Sequence, residues 1–153
     1  MNFVEAFSLH NGDVEWKRRE LDEWLTDLFE APSITIEQGC TGRIRAHLSA
    51  ELTTAGWTHD VRIDPGFDLT VTGMYRDMAF QIQTGNISRA MYDLWKLQYL
   101  YSQKKIAVAA LAVPTRDAAA IIGSNIAQVD RIWRELQLFD RIITLPLLLV
   151  SFE

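Results

Sequence analysis

The sequence predicts an α/β domain, a mixed central β-sheet with helices on its faces, and three observations predict it. Four segments carry helical signals, either apolar residues at helical spacing or capping residues at the ends. Between the second and third of these lies a stretch of short extended runs broken by turn residues. The third and fourth are each followed by an apolar run of strand length, the mark of strands covered on both faces.

In order along the chain, residues 14–30 read as an amphipathic helix in which Val14, Leu21, Trp24, Leu25 and Leu28 recur at helical spacing, ended by Pro32. Residues 41–56 form the second helix, with Thr41 as N-cap and Gly56 at its C-terminal end. Two extended runs follow, 61–63 and 67–72, divided by the turn formers Asp64, Pro65 and Gly66. After Gly73, residues 78–83 alternate apolar and polar and pair as a hairpin with 67–72. Residues 87–103 are a long helix with Ile87, Met91, Leu94 and Trp95 on one face. Residues 106–113 are continuously apolar and read as a central strand. Ser124 caps a helix reaching residue 139, and 142–150 is a last buried strand in which Pro146 marks an edge or a bulge. No repeat or linker divides the chain, so one domain is expected over 1–153, with a helical N-terminal segment over residues 1–40 preceding a core over 41–153.

Composition narrows the function classes. Hydrophobic residues make up 48% and charged residues 23%, the balance of an ordinary globular protein, and no stretch is apolar enough to span a bilayer. The first residues lack the basic start and apolar segment of a signal peptide, and the single Cys40 suits a reducing compartment, so a cytoplasmic protein is expected. A net charge of −5 argues against indiscriminate nucleic-acid binding, but leaves room for a site-specific binder that gathers its arginines in one cleft. There is no glycine-rich phosphate loop, and His10, His47 and His59 lack metal-ligand spacing.

The chemistry-bearing stretch runs from Asp68 to Gln83. Phosphodiester cleavage with a metal needs acidic oxygens around Mg²⁺, and two adjacent strands supply them economically. One strand offers an Asp, its neighbour two side chains at i and i+2 on one face. Asp68 on the first strand and Gln81 and Gln83 on the second have this arrangement. The same spacing also describes a plain hairpin with polar residues on its wet face.

The run Gln81-Ile82-Gln83-Thr84-Gly85-Asn86 resembles the active-site strand of the BglII and BstYI family of type II restriction endonucleases. That family belongs to the PD-(D/E)xK nucleases, but reads Glu-x-Gln where most relatives carry Glu-x-Lys. Glu51 and Leu52 followed by Trp57, the strand beginning near Lys105, and the tail from Ser124 through Asp140 resemble the same family, over residue 41 to the end. The resemblance implies a PD-(D/E)xK restriction-endonuclease-like core, a homodimer, Mg²⁺, and cleavage of a short palindromic double-stranded DNA site containing GATC with a four-base 5′ overhang. A cognate DNA methyltransferase is expected in the host, without being a stable partner. By position, Asp68 matches the metal-binding aspartate (with Asp64 as rival), Gln81 the catalytic glutamate, Gln83 the glutamine that helps place the attacking water, and Asn86 an asparagine used near the DNA. Glu51 is a further candidate carboxylate.

The departure at Gln81 matters most. An amide offers Mg²⁺ a neutral oxygen and no charge, and each ~1.4 kcal/mol lost from transition-state stabilisation is tenfold in rate. The chain as written is therefore expected to be catalytically inactive. Either Gln81 replaces a native glutamate or the chain is a natural non-cleaving binder; an acidic protein-interaction domain is a third reading. Arg43, Arg45, Arg62, Arg76, Arg89, Lys96, Lys104 and Lys105 are candidate phosphate contacts, with Arg43 and Arg45 foremost. Base contacts are expected from loops 38–45 and 114–123, and the dimer contact from helix 87–103 or the N-terminal helices.

Overall fold

The computed structural model describes residues 1–153 and contains a six-stranded mixed sheet. Its strands are β1 (Phe3–Leu9), β2 (Thr58–Arg62), β3 (Thr70–Tyr75), β4 (Met78–Ile82), β5 (Val108–Pro114) and β6 (Leu147–Phe152), in the spatial order β1-β6-β5-β4-β3-β2. β4, β5 and β6 run parallel to one another, while β2–β3, β3–β4 and β1–β6 are antiparallel. Parallel neighbours need a crossover. Helix α4 (Ala90–Ser102) supplies it between β4 and β5, and α5 (Arg116–Ile122) and α6 (Val129–Leu138) between β5 and β6.

The apolar run over 106–113 does form the central strand: every residue of β5 is buried. Its side chains alternate between two cores, as the period of two requires. Val108, Ala110 and Ala112 join Trp16, Phe29, Leu48, Leu52 and Phe80 on the side of α1 (Gly12–Arg18), α2 (Asp22–Asp27) and α3 (Thr41–Thr54). Ala109, Leu111 and Val113 join Leu94, Leu97, Ile132 and Leu136 on the side of α4 and α6. No helix is long and apolar enough to cross a membrane.

Several expected boundaries are corrected. The first 40 residues are not simply helical, because Phe3–Leu9 form an edge strand on β6, and the helix expected over 14–30 is two short ones. Cys40, not Thr41, holds the N-cap position of α3. The helix expected from Ser124 begins at Val129 and is capped by the Gln128 side chain, which accepts from Asp130 N at 2.9 Å. The expected base-contacting loop 114–123 is mostly α5, capped by Thr115. Pro146 precedes the last strand rather than interrupting it, its carbonyl accepting from Ala109 N at 3.0 Å. Trp95, expected on an apolar face, is 58% exposed.

The most consequential correction concerns the hairpin. Gly73 lies inside β3 rather than at its end, and the turn is made by Arg76 and Asp77, with Arg76 at a left-handed φ of 51°. Tyr75 pairs with Met78 and Gly73 with Phe80. Asp68 therefore lies in the loop before β3 rather than on the strand.

Candidate active site

The β3–β4 register puts Thr72, four residues beyond Asp68, beside Gln81. The Gln81 side chain is 8% exposed, on the sheet face that Ala79 shares with α4. Its Oε1 accepts from Thr72 N at 3.0 Å, and its Nε2 donates to Ile82 O at 3.2 Å. The Thr72 hydroxyl accepts from Ile82 N at 3.1 Å. Both ends of the amide are thus committed within the sheet.

Gln83 continues past β4, its N donating to Ala112 O at 2.9 Å. Its side chain is tied on both sides: Oε1 accepts from Gly85 N at 2.7 Å, and Nε2 donates to Oδ2 of Asp93 at 2.5 Å. Asp93, on the first turn of α4, is 4% exposed and forms an ion pair with Lys96 Nζ at 2.7 Å. Lys96 Nζ also donates to Thr70 O at 2.6 Å. A buried carboxylate is tolerated only with such partners.

These residues floor a cleft of about 860 Å³ walled by α3, β2 and the start of α4. Arg45 projects from α3 and Arg89 from the 3₁₀ turn Ile87–Arg89; both line the cleft, and neither forms an ion pair. Asn86 caps that turn, its Oδ1 accepting from Ser88 N at 2.9 Å. His59 stands on the β2 wall between Ser49 Oγ at 3.0 Å and Thr53 Oγ1 at 2.7 Å. Thr53 gives its own proton to Ser49 O, so the His59 ring donates to its hydroxyl from Nε2.

The cleft therefore brings together Arg45, Asp68, Gln81, Gln83, Asn86, Arg89 and Lys96 from among the sequence candidates, and leaves out Glu51, Arg43, Arg62, Arg76, Lys104 and Lys105. Arg43 turns away to pair with Glu37. Asp68 stays at the mouth, its carboxylate 89% exposed and 3.2 Å from Arg62 Nη2. Asp64, its rival, anchors a turn, accepting from Gly66 N at 2.8 Å and from the Tyr99 hydroxyl at 3.0 Å. These two bonds hold its carboxyl below the usual carboxylate range, and the Asp64 bond pushes the Tyr99 hydroxyl up. Sequence reasoning misses Thr72 and Asp93. Asp93 does leave a signal, an acid beside Leu94 and three residues before Lys96, the spacing of a helical ion pair.

Mg²⁺ is held by hard oxygens, one or two carboxylates at the least. No group of three or more His, Cys, Asp or Glu side chains is placed to hold a metal ion. The two glutamine oxygens already accept backbone protons, and Asp93 is balanced by Lys96. The residues present do not fit the ion. What the cleft offers an anion is the unpaired Arg45 and Arg89 and the anchored Lys96, beside the carboxylates of Asp60 and Asp68.

Comparison with known proteins agrees with this architecture. The family model described as restriction endonuclease BglII/BglIII matches residues 4–152. The crystal structure of restriction endonuclease BglII complexed with a DNA 16-mer superposes with a TM-score of 0.79 at 13% identity, covering 99% of this chain and 76% of that one. The crystal structure of free BglII gives 0.71 at 16% identity, covering 100% and 80%. At these identities the structural likeness establishes the fold, an α/β restriction-endonuclease-like core. Among curated proteins no sequence matches this chain.

Proposed function

The chain belongs to the BglII/BglIII restriction endonuclease family, and on that premise we propose that it binds duplex DNA in the cleft without cutting it. Family members are type II nucleases, generally dependent on Mg²⁺. One observation carries the reading. Where the resemblance has a catalytic glutamate, Gln81 is an amide closed onto Thr72, and the neighbouring strand position is itself a threonine rather than an acid. Restoring a carboxylate at 81 alone leaves it without a partner acid on β3. This favours a natural non-cleaving member over a single native glutamate replaced by Gln81.

Binding is supported by the unpaired Arg45 and Arg89 guanidiniums that line the cleft, a chemistry suited to phosphates. The target is a short palindrome containing GATC, read by a homodimer whose two-fold axis matches that of the site. The dimer is supported by the outer face of α4, where Tyr92 and Trp95 are 45% and 58% exposed beside Phe67 at 64%. The protein acts in the cytoplasm, where DNA is accessible, and a binder that does not cut requires no protective methyltransferase.

The experiment pairs the chain with its Gln81→Glu variant on GATC-containing duplexes, following binding in Ca²⁺, nicking in Mg²⁺ and oligomeric state by sedimentation. A dimer that shifts one palindrome, with no cleavage from either protein, is the expected outcome. Cleavage by Gln81→Glu overturns the non-cleaving reading and restores an enzyme missing one carboxylate. No shift on any palindrome turns the chain into an acidic interaction domain on a nuclease scaffold.

A further inference from the structure

The misfit between the cleft and a divalent ion has a positive counterpart, a lysine where the charge is needed. Asp93 and Lys96 form an ion pair in which the side chains are 6% and 12% exposed, at the floor between Gln83 and Thr70. The ammonium has three protons; Asp93 Oδ1 and Thr70 O take two, leaving one donor for an incoming oxygen. In a metal-dependent nuclease the floor carboxylates repel phosphate until cations neutralise them. Here the floor carboxylate, Asp93, is already neutralised from within the chain, and of the two other carboxylates lining the cleft, Asp60 and Asp68, the latter lies against Arg62.

We propose that the cleft is a metal-independent phosphate seat, with the Lys96 ammonium at its floor taking the place of a divalent cation and Arg45 and Arg89 closing on the anion from the walls. The identity of the anion as a DNA phosphate rests on the DNA-binding reading above; the metal independence does not. Gln81 and Gln83 contribute by being neutral, because their amides fill the floor without adding charge that a metal would have to offset. Asp93 is a positioning residue, holding Lys96 against Thr70 rather than touching the anion.

The test uses the full chain. Mn²⁺ is titrated and followed by its electron paramagnetic resonance signal, which should stay that of the free ion. Thymidine 3′,5′-bisphosphate is titrated in EDTA while the Lys96, Arg45 and Arg89 side-chain nitrogen signals are followed by NMR; all three should shift. Duplex affinity, read by anisotropy, should change less than about twofold between EDTA and Ca²⁺, and fall about tenfold in both for the charge-balanced Asp93→Asn, Lys96→Met variant. Specific Mn²⁺ binding by the native chain, a bisphosphate that leaves Lys96 unmoved, or duplex binding that needs Ca²⁺ each overturns the proposal. Bisphosphate binding without any duplex binding supports the seat and refutes only the DNA reading. A Thr72→Asp, Gln81→Glu variant that gains Mn²⁺ adds the converse.

Discussion

The two ends of the β3–β4 hairpin carry opposite chemistry. At the turn end, Asp77 accepts from Arg19 Nε at 2.9 Å and from a second guanidinium nitrogen, while the same guanidinium holds Glu15 at 2.6 Å. That end is an ion-pair lock fastening α1 to the sheet. At the open end, where the family resemblance leads one to look for acids, the strand positions are Thr72 and Gln81, closed by neutral hydrogen bonds. The one buried charge pair there, Asp93 with Lys96, comes from the helix and not from the strands. The difference teaches where this scaffold keeps charge: wholly paired within the chain at the lock, and with the Arg45 and Arg89 guanidiniums left unpaired at the cleft.

The largest test of that contrast is Lys96→Met. It strands a carboxylate that is 4% exposed, and breaking a buried pair on one side costs about 3 kcal/mol. The Asp93→Asn, Lys96→Met double variant removes both charges, keeps an acceptor for Gln83, and should return to within about 1 kcal/mol of the native chain. Urea denaturation measures both. If the single variant costs no more than the double, the pair is not a buried unit and the floor of the cleft is wetter than its geometry implies.

The lock is smaller, and pH reads it. Arg19→Ala should cost about 1 kcal/mol at neutral pH, because Asp77 is half-exposed and solvent screens the pair. The Arg19 hydrogen bonds hold the Asp77 carboxyl below its ordinary value. A carboxyl lowered in the folded state stabilises fully above its unfolded pKa, about 4, and loses that contribution as pH falls through the folded value. The gap between native and Arg19→Ala stability should therefore narrow in acid. A gap of constant size down to pH ~3 would mean that Arg19 acts by packing alone.

Much of this architecture is legible in the residues. The continuous apolar run over 106–113 marks a doubly covered strand, and the helix–strand–helix–strand order of the second half yields the crossovers. What stays hidden is governed by context. β1 reads Phe-Val-Glu-Ala-Phe-Ser-Leu with only Leu9 buried, because an edge strand needs no apolar face of its own once β6 supplies hydrogen bonds. The site slips for a single reason. Gly73 attracts the turn, whereas Arg76 in a left-handed conformation makes it, and shifting the turn moves which β3 residue meets Gln81. With the turn at Gly73, Asp68 falls near Gln81; with it at Arg76, Thr72 does. The pattern reveals the glutamines and conceals their partner.

The finest division lies within α3, where Arg43 and Arg45 stand two residues apart on different sides of the helix. Arg45 faces the cleft with no carboxylate on it, whereas Arg43 is spent on Glu37 and the Thr35 carbonyl outside it. Neither is buried, so alanine at either should change stability by less than about 0.5 kcal/mol. Their effects on DNA should separate. Arg45→Ala, and likewise Arg89→Ala, should weaken duplex binding about fivefold and make the log affinity against log salt shallower by about 1, the signature of one lost phosphate contact. Arg43→Ala should leave both quantities unchanged. An equal loss from Arg43 and Arg45 would mean that the DNA lies over the outer side of α3, and the cleft would then be a feature of the fold rather than of its function.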